Sequence, residues 1–254
     1  MNARASFSKL SYYKNCPYAY KLKYLDKTQT LPRPASCIGK TGEAANDRGS
    51  RVHEAADDYI NSRRDDLVPE LIKYRDQFKT IREIATNQPD LVHTEQKWTF
   101  NPDWKVTDAA IDKDYELLAI IDIFIFDDDT KAKARVIDIK TGKKFNNEVK
   151  HATQTQLYQL TAFKRYPTLE SVTTELWYVD QKHGPTTNTF SRAQGERFTS
   201  SWQRRIDEMK NDTEFKARPH ERSCAFCDWG LKEHSNKWID KTGDCKLSRD
   251  KRDR

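Results

Sequence analysis

The 254-residue sequence predicts an α/β fold, a mixed central sheet flanked by helices. Three observations lead there. The stretch 120–140 holds two runs rich in β-branched and aromatic residues, Ile120-Ile121-Asp122-Ile123-Phe124-Ile125-Phe126 and Val136-Ile137-Asp138-Ile139-Lys140. The polar turn Asp127-Asp128-Asp129-Thr130-Lys131 joins them, so they read as neighbouring antiparallel strands. A second strand signal follows at 172–179, with 186–190 able to pair with it across Gly184-Pro185. Helical spacing of apolar residues over 42–64, 67–85, 144–166 and 193–209 supplies the flanking layers.

Along the chain, Ser6 caps a short amphipathic helix with Phe7, Leu10 and either Tyr13 or Lys14 on one side. Aromatic and basic residues then interleave from Cys16 to Leu25, either as a core-facing tyrosine stripe with snorkelling lysines or as a stacking surface for nucleic acid. Leu31-Pro32-Arg33-Pro34 breaks the chain. Gly39-Lys40-Thr41 is not a phosphate loop, because the first glycine such a loop requires falls at Pro34, which has no N–H to offer an anion.

The helix over 42–64 turns Val52, Ala55, Ala56, Tyr59 and Ile60 inward and carries His53; the next, 67–85, aligns Leu71, Tyr74, Phe78 and Ile81. Together they predict a helical cap over one end of the sheet. A strand over 92–100 leaves Glu95 on a different face from Trp98 and Phe100, either as a ladder charge or pointing into a site, and 106–111 adds a short edge. On the helix that runs to Tyr166, Gln154 and Tyr158 are four apart and share a face. The last helix, 193–209, places Phe198, Trp202, Ile206 and Met209 on the core.

A single domain over 1–245 accommodates all of this: a helical elaboration at about 40–90, a sheet core at about 91–190, and a C-terminal helix and cysteine segment at about 191–245. A basic tail closes the chain at 246–254.

With 36% hydrophobic and 33% charged residues, the core must be compact and the surface heavily solvated. The net charge of +6 suits a polyanionic partner. No apolar run approaches the roughly 20 residues of a membrane span, and Met1-Asn2-Ala3-Arg4 does not lead into a signal-peptide core. A cytoplasmic protein is therefore expected. In a reducing compartment, five cysteines argue for metal or cluster ligation by some of them over a disulfide framework.

Period-2 alternation puts Asp138 and Lys140 on one strand face. Two carboxylates and an amine in a sheet built to be buried are costly unless they bind something, and a divalent metal is the natural partner. That equipment suits metal-assisted phosphodiester hydrolysis. The bland alternative is a ladder salt bridge on a solvated face.

Four pieces occur in order: Gly49-Ser50-Arg51-Val52-His53-Glu54, Asp122, Asp138-Ile139-Lys140-Thr141-Gly142-Lys143, and Gln154-Thr155-Gln156-Leu157-Tyr158. From about residue 8 to 245 the chain resembles the PD-(D/E)xK nuclease superfamily, in particular its RecB-type branch, which includes CRISPR-adaptation nucleases and phage recombination exonucleases. It departs from the pattern at Ile120, where the family often has glycine.

The resemblance implies a restriction-endonuclease-like sheet and an Mg²⁺- or Mn²⁺-dependent deoxyribonuclease, an exonuclease of recombination, repair or phage DNA metabolism in a prokaryotic or phage-infected cell. It implies that His53, Asp122, Asp138 and the Ile139 carbonyl bind the metal. Lys140 would activate water, with Gln154 and Tyr158 positioning water or substrate. DNA, single-stranded or with duplex ends, is the implied partner, beside a recombination or replication protein. The family's cluster-containing members further imply a [4Fe–4S] cluster on Cys16, Cys224, Cys227 and Cys245, with Cys37 a free thiol. A Zn²⁺ site using His234, or no metal at all, are the alternatives there. Two other functions compete: a catalytically silent nucleic-acid-binding domain, and a zinc- or redox-stabilised interaction module.

Overall fold

The structure, a computed structural model, describes residues 4–29, 42–108, 115–142, 144, 147–218, 224, 227–232 and 238–240. The chain divides into two compact units, one of residues 36–202 and one that combines residues 1–35 with 203–254. No helix among the described residues is long and apolar enough to cross a membrane.

The smaller unit opens with a two-residue strand, β1 (Ala5–Ser6), and α1 (Phe7–Asn15). Ser6 caps α1 by accepting the Lys9 N–H, and the predicted inward residues Phe7, Leu10 and Tyr13 are buried. Pro17 at the first position of α2 (Pro17–Tyr20) has no N–H to leave unsatisfied. A π-helical turn, Lys21–Leu25, follows. These N-terminal elements are held by C-terminal residues. Tyr13 Oη lies 2.7 Å from Asp212 Oδ2, the Tyr20 ring stacks on Phe215, and Lys23 pairs with Asp228 at 2.7 Å. Trp229 is buried with Ala19 and Leu22, and Cys16 and Cys227 pack against that cluster. Cys37, His234 and Cys245 lie outside the described residues.

In the larger unit, α3 (Ala45–Ile60) buries all five of its predicted inward residues. The segment 67–85 is not one helix. Pro69 starts a 3₁₀ turn, Pro69–Tyr74, and α4 (Arg75–Asn87) begins after it; Leu71, Tyr74, Phe78 and Ile81 still face inward. The strands are β2 (Val92–Phe100), β3 (Val106–Thr107), β4 (Leu117–Phe126), β5 (Lys133–Lys140), β6 (Ser171–Tyr178) and β7 (Thr186–Ser191). They run in the order β3-β2-β4-β5-β6-β7. All pairs are antiparallel except β5 with β6, which are parallel from Lys133↔Ser171 to Lys140↔Tyr178. The crossover between those two is α5 (Glu148–Arg165), as a parallel pair requires.

One face of this mixed sheet packs Ile123, Ile125, Ile137 and Ile139 against Val52, Ala56 and Tyr59 of α3 and Phe78 and Ile81 of α4. Each such burial contributes about 1.5–3 kcal/mol. On the other face Phe124 lies 5.0 Å from the Tyr166 ring and 5.2 Å from Trp98.

The predicted helix 193–209 is two helices, α6 (Arg192–Glu196) and α7 (Thr199–Asn211). Tertiary contacts fix the break. Arg192 donates to the carbonyls of Phe163, Tyr166, Pro167 and Leu169, and so satisfies acceptors at the C-terminus of α5. Gly195 comes so close to α5 that a Cβ there would lie 2.2 Å from Gln159 Oε1 and 2.4 Å from the Phe163 ring. With α6 tied down in this way, the chain turns before α7 buries Trp202, Ile206 and Met209. Gly195→Ala is therefore expected to destabilise the protein by about 1–3 kcal/mol, the cost of overpacking a filled interior. Urea unfolding should show it as a lowered midpoint with an unchanged slope.

Candidate active site

The hairpin ladder of β4 and β5 stops at the pair Ile123↔Ile137. Beyond it stand the next two facing residues, Asp122 and Asp138. Asp122 Oδ2 takes over an acceptor role, receiving the Ile139 N–H at 2.8 Å. Asp138 is 2% exposed. Lys140 Nζ lies 2.6 Å from its Oδ2, but off the directions of a hydrogen bond, so that oxygen is buried with no aligned donor. Burial raises the Asp138 pKa to about 6, the nearby Lys140 charge opposing it and Asp122 adding to it.

α3 delivers His53 from the other side. Its Nδ1 is 3.3 Å from Asp122 Oδ2 and 3.8 Å from Glu95 Oε1, and its Nε2 is 3.0 Å from the Ile139 carbonyl oxygen. Burial alone would lower its pKa. The hydrogen bonds to Asp122 and Glu95 and the charges of Asp122 and Asp138 prevail and raise it to about 10. The imidazolium thus sits as a cation among carboxylate and carbonyl oxygens.

On the opposite flank α5 presents Gln154 and Tyr158. Gln154 Oε1 accepts from Lys140 at 2.9 Å, and its Nε2 donates to the Tyr158 hydroxyl at 2.6 Å. Burial, with Asp138 and Asp122 next in weight, pushes the Tyr158 pKa well above its usual value, so the phenol stays protonated. The structure therefore brings His53, Asp122, Asp138, the Ile139 carbonyl, Lys140, Gln154 and Tyr158 to one end of the sheet. Of the four cysteines assigned to a cluster, Cys16 and Cys227 pack in the smaller unit, Cys224 is half-buried, and Cys245 is not among the described residues.

Three neighbours were under-read in the sequence. Glu95, left open between a ladder charge and a site residue, faces His53, and its backbone has φ +47°. That left-handed conformation costs a non-glycine residue about 1–3 kcal/mol. His151 stands three residues before Gln154, on the same α5 face, with Nδ1 2.6 Å from the Tyr178 hydroxyl; burial and then the Lys140 and Lys150 charges lower its pKa to about 4. Its i, i+3, i+7 spacing with Gln154 and Tyr158 was the available signal. Arg48 donates to the Thr141 carbonyl at 3.0 Å and grips Asp180 with two bonds, fixing the exit of β5 just past Lys140. Nothing in the local sequence marks it.

Among the described residues, His53, Glu95 and Asp122 form a group whose ligating atoms all lie within 4.8 Å of one another, the spacing a metal ion needs. The buried Asp138 carboxylate beside them, ion-paired with Lys140 at 2.6 Å, offers a further oxygen donor. Hard oxygen donors with one imidazole suit Mg²⁺ or Mn²⁺.

Comparison with known proteins agrees with this chemistry. A search of curated proteins finds no match. Among solved structures, one described as the crystal structure of SSO0001 aligns over 90% of this chain and 84% of its own, at 13% identity and a TM-score of 0.37, too low to carry an argument. The model of the PD-(D/E)XK nuclease superfamily matches residues 4–230, nearly the whole described chain and all of the site. The chain belongs to the PD-(D/E)XK nuclease superfamily, whose members cut phosphodiester bonds with the help of divalent metals.

Proposed function

We propose that this protein is an Mg²⁺- or Mn²⁺-dependent deoxyribonuclease, acting as an exonuclease on DNA in recombination, repair or phage DNA metabolism. The observation that carries the reading is the grouping of His53, Glu95 and Asp122, whose ligating atoms lie within 4.8 Å of one another, with the buried Asp138 carboxylate and its Lys140 partner beside them. Carboxylates gathered so closely at a buried sheet end repel one another unless a cation lies among them. In this reading His53, Asp122, Asp138 and the Ile139 carbonyl hold a divalent ion, which supplies Lewis acidity at the scissile phosphate and lowers the pKa of water.

The chain's own groups do the rest. Lys140 donates to Gln154 and lies beside Asp138, which leaves its ammonium able to orient the attacking water or to meet charge growing on the phosphate. Gln154 is fixed at both ends of its amide, which holds the lysine in place. Tyr158 receives the Gln154 N–H and keeps its own proton for donation toward the site. The net charge of +6 favours a polyanionic substrate. The further reading of a [4Fe–4S] cluster on Cys16, Cys224, Cys227 and Cys245 rests on the family resemblance alone; Cys16 and Cys227 pack against the Trp229 cluster, and Cys245 lies outside the described residues.

End-labelled single- and double-stranded DNA incubated with Mg²⁺, Mn²⁺ or EDTA tests the activity. Cleavage from the ends is expected with either metal. None is expected with EDTA or in Lys140→Ala, and metal-independent cleavage would refute the site.

Asp138→Asn should abolish cleavage yet stabilise the metal-free fold. The native pKa of about 6 lies above the unfolded value near 3.8, so the folded chain binds more protons and wild-type stability falls as pH rises through that window. Melting in EDTA should then favour the Asn variant above about pH 6 and show the difference closing toward pH 4. A variant less stable than wild type at pH 8 would contradict this.

Gln154→Ala is expected to lower turnover by about one to three orders of magnitude, as for a lost positioning contact, with little change in melting temperature. A large melting drop with normal turnover would make Gln154 structural.

A further inference from the structure

The left-handed residue in β2 has a second peculiarity. The β2–β4 ladder keeps one register on both sides, with Thr94↔Ile123 before and Gln96↔Ile121 after, but the pair between them, Glu95 and Asp122, is missing from it. Side-chain alternation changes phase at that point. Val92 belongs to the cluster beneath α3 and α4, whereas Trp98, also even-numbered, packs on Phe124 and Tyr166 across the sheet. A strand with an unbroken pleat would not do this. The reversal falls at the missing pair on both strands, since Ala119 shares a face with its partner Trp98; on β2 it coincides with Glu95, at φ +47°, whose carboxylate lies 3.8 Å from His53 Nδ1.

The flanking peptide is braced to keep it so. The Thr94 hydroxyl donates to Asp57 Oδ1, Asn61 Nδ2 donates to Thr94 Oγ1 at 2.9 Å, and Gln96 Nε2 donates to the Thr94 carbonyl at 3.1 Å. Asp57 stands one turn after His53 on α3, so one helix face carries both the imidazole and the anchor for the strand opposite it.

Charge adds an independent argument. With His53 neutral, as a metal ligand must be, Asp122 and Asp138 against Lys140 leave one net negative charge. Glu95 makes it two, which matches a divalent ion. The ligating atoms of His53, Glu95 and Asp122 lie within 4.8 Å of one another, close enough to share one ion.

We infer that Glu95 is a further ligand residue of the metal centre, delivered by the left-handed turn in β2 and held by the Asp57–Thr94–Asn61 brace. The inference rests on the metal-dependent reading above and adds to it a carboxylate on the His53 side.

The test uses the full-length chain, with Mn²⁺ binding followed by calorimetry and by the metal-induced rise in melting temperature. Glu95→Gln keeps the size and removes the charge; Glu95→Gly removes the carboxylate and suits the positive φ. Both are expected to weaken Mn²⁺ binding at least about tenfold and to shrink the metal-induced rise. Glu95→Gly should also melt higher than wild type in EDTA, because the backbone strain is relieved. Unchanged affinity in both variants, while Asp122→Asn loses binding, overturns the Glu95 assignment and leaves the metal site standing. Wild-type protein that binds no Mn²⁺ overturns both.

Discussion

The N–H of Ile139 must have an acceptor once the hairpin ladder ends, and the Asp122 carboxylate is that acceptor. This bond lets β4 and β5 part without leaving a buried donor unsatisfied. The same oxygen turns toward His53, and the carbonyl of the same Ile139 meets the other nitrogen of that ring. The backbone of one residue therefore fixes a carboxylate and an imidazole together. The apolar residues one step back along both strands, Ile123 and Ile137, anchor the parting strands in the core. Without that rigid base the charges would relax into water.

Metal-free, the cluster is a set of opposing charges, with Asp122 and Asp138 buried and His53 and Glu95 partly open to solvent. The His53 imidazolium and the Lys140 ammonium sit where they offset Asp122, Asp138 and Glu95. Ion pairs of this kind do not by themselves stabilise a fold, since desolvation cancels most of their attraction. Stability comes from the two apolar layers, and the charged end of the sheet is carried by them.

Much of this was legible in the sequence, for identifiable reasons. The inward positions of α3 and α4 follow from 3.6-residue spacing, which depends on local chemistry alone. The hairpin follows from its β-branched runs, and Asp122 and Asp138 stand out because an acid is expensive there. What failed to show depends on distant parts of the chain. The break between α6 and α7 comes from Gly195 meeting Phe163 and from Arg192 closing the end of α5, contacts made by a different helix. The turn at Glu95 defeats an alternation argument because that argument assumes the pleat is unbroken. Pro69 was visible and could have warned that 67–85 is not one helix.

The smaller unit is made from the two ends of the sequence, and this bears on how the chain is born. Tyr13, Tyr20 and Lys23 leave the ribosome early, yet Asp212, Phe215 and Asp228, which they contact, emerge about 200 residues later. At roughly 5–20 residues per second, that delay is on the order of ten seconds or more. Residues of the larger unit can condense in the meantime, whereas Ala19, Leu22 and Tyr20 wait for Trp229 and Phe215. A nascent chain thus carries Ala19, Tyr20 and Leu22 without their later packing partners until residues 215–229 have emerged.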